Sequence, residues 1–353
     1  MSLFNYVLKT VAIRILAATL VMLAILQVLD LLEITPEIIE RGLGPLGMGR
    51  YCLLRAPRLF DQAIPLGVLA GSIFAFMKLA GESQIVAIRA SGVSIYRIAT
   101  MCTPAIFAAM AVNFVATEVI APRTDPVLQT WWAATAPKNE RPVDKPHAFR
   151  VGTDVVIATP GDIDGRALTA VKIYRRDALG RLVERIDARS ATYLPGGWRL
   201  MDTQFVRFMK DGARRGEAGQ MTWASTFQPR DVRAVFSGDP AVTAMSAARA
   251  LTGGGSERPE SFYLTHLQRA FAHPAGALAM LLLAAPVALA NFRSGEGATF
   301  VIGALGAGLV FIVADGLLTA MGESGAVNPI LAAWTAPVVF AALGATALLK
   351  LEG

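Results

Sequence analysis

Two carboxylates, Glu118 and Asp315, stand inside long apolar runs of this sequence and are its most strongly marked candidates for chemistry. A charge at the middle of an apolar span costs on the order of 3 kcal/mol by insertion scales. Asp315 therefore has two readings: a coupling or gating partner facing another helix, or one end of a helix–helix hydrogen bond. Glu118 is close to the end of its run, where a carboxylate snorkels to the boundary. The rest of the inventory is mostly negative. Gly42-Leu43-Gly44-Pro45-Leu46-Gly47 matches G-x-G-x-x-G, yet it follows no strand and contains a proline, which argues against a dinucleotide turn. Lys9 is the one Lys followed by Ser or Thr, and no glycine precedes it, so a phosphate-cradling loop is excluded. With neither H-E-x-x-H nor a nucleophile elbow, no catalytic residue for hydrolysis is expected. His147, His266 and His273 are too scattered for a metal site, and His273 reads as an interfacial residue. Cys52 and Cys102 fall near opposite membrane faces in the topology below, which argues against a disulfide or a shared metal.

The elements that must position these residues are apolar blocks. The chain has 353 residues, 54% hydrophobic and 17% charged, with a mean hydropathy of +0.48. A soluble chain averages about 45–50% apolar and about 25% charged. The excess falls at 15–32, 62–80, 98–121, 271–290, 298–321 and 330–349. Each block approaches the ~20 residues that cross a roughly 30 Å hydrocarbon core as a helix. The first block follows Lys9 and Arg14 as a secretory signal would. No small-residue cleavage site follows it, so it reads as a retained anchor. Six spans place both termini on one side. Lys9, Arg14, Lys78, Arg89, Arg97, Arg293 and Lys350 share that side, which the positive-inside rule makes cytoplasmic, whereas Arg41, Arg50, Arg55 and Arg58 lie opposite. The net charge of +6 is mostly this asymmetry and does not imply nucleic-acid binding.

The longest polar segment, 122–265, reads differently. Short runs rich in β-branched and aromatic residues occur at 154–159, 169–174, 190–193, 198–201 and 204–209. Pro160-Gly161, Leu179-Gly180, Pro195-Gly196-Gly197 and Asp211-Gly212 separate them as turn signals. This spacing predicts an antiparallel all-β sandwich or barrel. An Ala-rich helix at 239–251 and a linker at 252–259 follow. The expected organisation is thus three spans in 1–121, an inserted all-β domain with a helical linker in 122–265, and three spans in 266–353.

Two shorter patterns complete the reading. Gly67 and Gly71 form a small-xxx-small pair suited to close helix packing. Residues 82–94, between spans two and three, carry Ile85, Val86, Ile88 and Val93 in an amphipathic turn pattern ended by Gly92. Such a helix lies on the membrane or docks in a groove of a soluble partner.

Taken together, these residues resemble the LptF/LptG permease family, membrane subunits of the ABC exporter that extracts lipopolysaccharide. The resemblance covers nearly the whole chain. Its most specific part is 57–94, with Ile64-Pro65-Leu66 entering span two and Leu79-Ala80 leading to Ala90-Ser91-Gly92. Val119-Ile120-Ala121-Pro122 and Asp315 also fit, while the stretch 53–65 and the short C-terminus look more like LptG. The resemblance implies an inner-membrane, multi-pass α-helical protein with an inserted periplasmic β-jellyroll. It also implies an LptF-like permease completing a heterodimer, a dimeric cytoplasmic ATPase (LptB-like), and LptC/LptA-like periplasmic jellyroll proteins. The cargo would be lipopolysaccharide or another anionic glycolipid. No cofactor is expected on this chain, ATP being used by the partner.

Site residues follow from the same resemblance. Glu82, Gln84, Ile85, Ile88 and Arg89 would couple to the ATPase, with Ile85 and Ile88 buried in its groove. Asp30, Leu66 and Asp315 would belong to the lipid cavity, and Val156 and Val171 would line the jellyroll. Two departures stand out. Gln27, Glu33 and Ile34 occupy the region where LptG-like proteins often carry head-group lysines, and Gln84 replaces a usual acidic residue. Arg50, Arg55 and Arg58 are the nearest substitutes for those lysines. Arg55 and Arg58 share a helix face, and arginine suits bidentate contact with phosphate or carboxylate. Two other classes compete: an ion-gradient-driven lipid transporter using Asp315 and Glu118 as a relay, and a membrane-anchored periplasmic ligand-binding or structural protein.

Overall fold

The computed structural model describes residues 3–82, 84–90, 92–135, 146–162, 164–177, 179–209, 212–236, 242–252, 255–289 and 296–352. The chain divides into two compact units, Met1–Leu128 with Thr265–Gly353, and Gln129–Leu264.

The first unit is helical. Its elements are α1 (Leu3–Glu40), α2 (Gly44–Gly81), α3 (Gln84–Ala90) and α4 (Ile95–Val115). A π-helical turn at Ala116–Ile120 leads from α4 into α5 (Ala121–Ala134). The chain returns with α8 (Glu260–Ala284), a 3₁₀ turn at Ala285–Leu289, α9 (Glu296–Glu323) and α10 (Pro329–Glu352). Among the described residues, six helical stretches, 22 to 38 residues long, are apolar and long enough to cross a membrane. They overlap all six apolar blocks and contain four of them, 15–32, 62–80, 298–321 and 330–349. Prolines such as Pro65 in α2 and Pro274 in α8 lie inside these helices, where neighbouring helices can satisfy the freed carbonyls.

The glycines of the G-x-G-x-x-G stretch make a helix hairpin. Gly42 and Gly44 sit at φ 67° and 61°, ending α1 and starting α2. The hairpin brings α1 and α2 into close contact at Gly67 and Gly71. A Cβ on Gly71 would lie 2.5 Å from Ile15 Cα, and one on Gly67 would collide with Thr19. The core of this unit joins Val7, Val11 and Ile15 of α1 to Val68, Ile73 and Phe76 of α2 and to a largely alanine surface, Ala277 to Ala288.

The second unit is a six-stranded antiparallel meander in the order β1-β2-β3-β4-β5-β6. The strands are β1 (His147–Val151), β2 (Asp154–Pro160), β3 (Ala167–Arg176), β4 (Leu182–Leu194), β5 (Gly197–Met209) and β6 (Gly212–Trp223). One row of cross-strand partners is Phe149, Val156, Ile173, Ile186 and Phe205, with the first four buried. α6 (Pro229–Phe236) adds Val232 and Val235 to this face, and α7 (Ala244–Leu251) follows, capped by Thr243 and Ser246. Residues 239–241 of the expected helix lie outside the described residues.

The strands are longer than the sequence runs predict. The runs at 198–201 and 204–209 are one strand, β5, interrupted at Asp202, whose φ of 51° marks an irregularity in the ladder. β6 lies where no apolar run is visible. Its residues include Arg214, Arg215, Glu217 and several glycines, so only its ladder with β5 defines it.

Candidate functional site

The lone Asp315 on α9 is not isolated. Its Oδ2 accepts from Arg269 of α8 at 2.9 Å and lies 3.8 Å from His273 Nδ1, one turn further along α8. His273 reaches in the other direction to α2, where Asp61 Oδ1 is 3.4 Å from Nε2. Asn113 of α4 donates to the same Asp61 oxygen at 3.1 Å. Four helices thus meet in one polar cluster. Backbone chemistry contributes to it: Pro65 has no N–H, which frees the carbonyl of Asp61, and that oxygen lies 3.4 Å from His273 Nε2. Of the two roles open to Asp315, the geometry supplies a helix–helix bond through Arg269. His273, read from the sequence as an interfacial residue, has its ring between two carboxylates with the side chain 17% exposed. Arg269, Asp61 and Asn113 are absent from the sequence-based site. The spacing of Arg269 and His273, four apart on one helix face opposite a lone Asp, is the signal that points to them.

A second cluster joins α1 and α2. Arg55 donates to Asp30 at 3.3 Å, and Arg58, on the same side of α2, is 3.8 Å from Asp125 of α5. Both arginines proposed for head-group contact are therefore paired with carboxylates of the chain. Arg50 lies more than one turn before them on α2, and Leu66 is half-buried on the same helix. Asp30 and Asp315 thus belong to different clusters. Between α1, α2 and the α4 end, Leu23, Ala56, Pro57, Phe60, Val112, Val115 and Ile120 line an open apolar groove of about 450 Å³.

The helix at 84–90 faces the opposite way from the expectation. Ile85 and Ile88 are only 3% and 8% exposed and pack into the helical unit's own core. An amphipathic turn tied to the end of α2 turns its apolar side toward the nearest apolar surface, which is its own bundle. Ala87 and Ala90 remain exposed. Gln84 accepts from Tyr6 at 3.0 Å and donates to Glu82 at 2.6 Å, and Glu82 is 3.7 Å from Lys78. The side chains of Val86 and Arg89 lie outside the described residues.

In the β unit, Val156 and Val171 are both fully buried, in one cluster with Trp198, Trp223 and Phe227. Trp198 Nε1 donates to the Phe227 carbonyl at 2.9 Å and Trp223 Nε1 to Asp154 at 3.0 Å, so each ring is buried with its polar atom satisfied.

Fold and clusters together define a multi-pass membrane protein with an inserted antiparallel β domain and charged side chains held between its membrane helices. The chain belongs to the LptF/LptG family, the lipopolysaccharide export system permease, whose family model matches residues 5–350. That match takes in both helical groups and the β domain, and it makes the chain a transport subunit that is not itself a catalyst. Comparison with curated proteins finds no match.

Proposed function

We propose that this chain is one permease subunit of an ABC-type exporter that withdraws lipopolysaccharide, or a related anionic glycolipid, from the inner membrane. The observation that carries this reading is the family match over residues 5–350. In this arrangement the termini and α3 are cytoplasmic and the β domain is periplasmic. A second, LptF-like permease completes the lipid cavity, with this chain in the LptG-like place. Support comes from the outward apolar stripes of α1 (Leu16, Leu20, Val28, Leu32) and α9 (Ile302, Leu309, Val313, Leu317), which call for an apolar neighbour. A dimeric ATPase would supply nucleotide hydrolysis, leaving this chain without a cofactor. Because Ile85 and Ile88 are turned inward, the face offered to that ATPase is Ala87 and Ala90 beside Glu82.

Anionic head groups would compete with Asp30 and Asp125 for Arg55 and Arg58, with Arg50 nearby. Leu66 and Asp315 remain proposed cavity residues. The β domain would receive acyl chains on the side lined by Val156 and Val171 and pass them to further jellyroll proteins. Purification of the complex in mild detergent tests the assembly. The ATPase and a second permease should be recovered with the wild-type chain, and Ala87→Asp should lose the ATPase alone. Recovery of an active transporter with no ATPase would overturn the proposal in favour of gradient-driven transport.

A further inference from the structure

The Asp61–His273–Asp315–Arg269 cluster holds two carboxylates and one guanidinium around one imidazole. We propose that this cluster is a proton-binding site within the membrane helices, and that its occupancy sets how tightly α8 is held between α2 and α9.

The hydrogen-bond directions lead to this reading. A guanidinium only donates, and Arg269 NH2 lies 3.2 Å from His273 Nδ1 as well as 2.9 Å from Asp315. In one arrangement Nδ1 accepts from Arg269, and the ring is then neutral with its single proton on Nε2, facing Asp61 at 3.4 Å. Asp315 then has Arg269, while Asp61 faces the neutral ring and the uncharged Asn113, so one negative charge is left uncompensated among membrane helices, where charge is expensive. One added proton closes the count. It enters at His273 Nδ1, which can no longer accept from Arg269 and faces Asp315 Oδ2 at 3.8 Å. The imidazolium then donates to Asp61 through Nε2–H and to Asp315 through Nδ1–H, while Arg269 keeps its own bond to Asp315. No bond to carbon changes; a proton is taken up from water and returned to it.

The surroundings are built for two arrangements. Arg269 Nε and Asn113 Oδ1 are buried without hydrogen-bond partners, which leaves donor and acceptor capacity beside the ring. The groups facing His273 are Asp61 from α2, Asp315 from α9 and Arg269 from its own helix, and α4 presents the uncharged Asn113. The next charged pair on the α8–α9 seam is His266–Glu323 at 3.1 Å, two turns away. α2 continues directly to the α3 connection, so a proton that ties α8 to α2 acts on the helix that leads there.

The test uses the full chain in nanodiscs, with the subunits that purify with it, over mildly acidic to mildly alkaline pH. In the wild type the melting temperature should fall as pH rises and the proton is lost. His273→Gln should melt lower and lose that pH dependence, and histidine NMR should lose the one titrating ring that is neither His147 nor His266. Adding Asp61→Asn to His273→Gln rebalances the charge, so the double variant should melt above His273→Gln even though a second native group is gone. Asp61→Asn alone, which keeps His273, should show a shallower profile than wild type even if His273→Gln does not fold. An unchanged pH slope in Asp61→Asn, or a double variant less stable than His273→Gln, would overturn the proposal. These readouts follow melting and the histidine ring, not nucleotide hydrolysis or glycolipid transfer, so they fail independently of the transport reading.

Discussion

The two units pack their interiors in different ways. The β domain packs Trp198, Trp223, Phe149 and Phe227 at its centre, with Phe149 and Phe227 stacked at 4.8 Å. The helical unit packs mainly aliphatic side chains such as Val11, Val68 and Leu79, and uses glycine where α1 and α2 approach most closely, at Gly67 and Gly71. The difference follows from solvent. A domain in water gains stability by removing large apolar surface from water. Helices in lipid gain little from that transfer and hold together through close backbone approach and polar contacts. The ionic clusters differ in the same sense. In the β domain, Glu184 is bracketed by Arg175 at 2.9 Å and Arg207 at 2.8 Å on a sheet face, with both arginines reaching solvent. Between the membrane helices, Arg269 pairs with Asp315 and His273 lies between Asp315 and Asp61.

Substitutions can break this comparison at measurable points. The largest effect is expected for Trp198→Ala, which removes a fully buried ring and its bond to Phe227; aromatic truncations of this kind cost about 3–5 kcal/mol. Unfolding of the chain followed by denaturant would show it, and a cost no greater than a surface change would mean the aromatic core is dispensable. Next comes Gly71→Ala. Its methyl group would press on the Ile15 backbone, and overpacking of this kind costs about 1–3 kcal/mol. Thermal melting in detergent should separate it from Gly306→Ala on α9, where a Cβ meets nothing within 4 Å and helix propensity favours alanine. Equal losses at the two glycines would show that close approach is not what matters at Gly71.

Arg207→Ala ranks third. Glu184 keeps Arg175 and Arg207 is more than half exposed, so the loss should be about 1 kcal/mol. A double-mutant cycle with Arg175→Ala should show coupling, because the second removal leaves Glu184 buried without a cation. The smallest effect concerns Asp231, which accepts from the Gln228 N–H at 2.9 Å and is pushed above the ordinary carboxylate value by burial. The folded domain therefore holds this proton more tightly than the unfolded chain does. Its contribution to stability grows as pH falls through the folded value and is lost as pH rises through it. Asp231→Asn should melt slightly higher than wild type at neutral pH, and the difference should shrink on acidification. A difference that widens toward low pH would reverse the sign assigned to the burial of this group.

What the sequence determined by itself is what short stretches of chain can encode. Apolar length set six spans, because a helix in lipid must satisfy its backbone within one segment. Gly67 with Gly71 marked a close approach, whereas the left-handed hairpin at Gly42 and Gly44 came only with the structure. The strands that alternate apolar and polar residues were visible, whereas β6, charged and glycine-rich, was not. Tertiary structure alone decided the rest. Arg269 meets Asp315 across 46 residues and His273 meets Asp61 across 212, and no local pattern ranks one distant partner above another. The same holds for α3: its amphipathic pattern defined an apolar face at Ile85 and Ile88, but which surface that face meets depends on where the end of α2 delivers it.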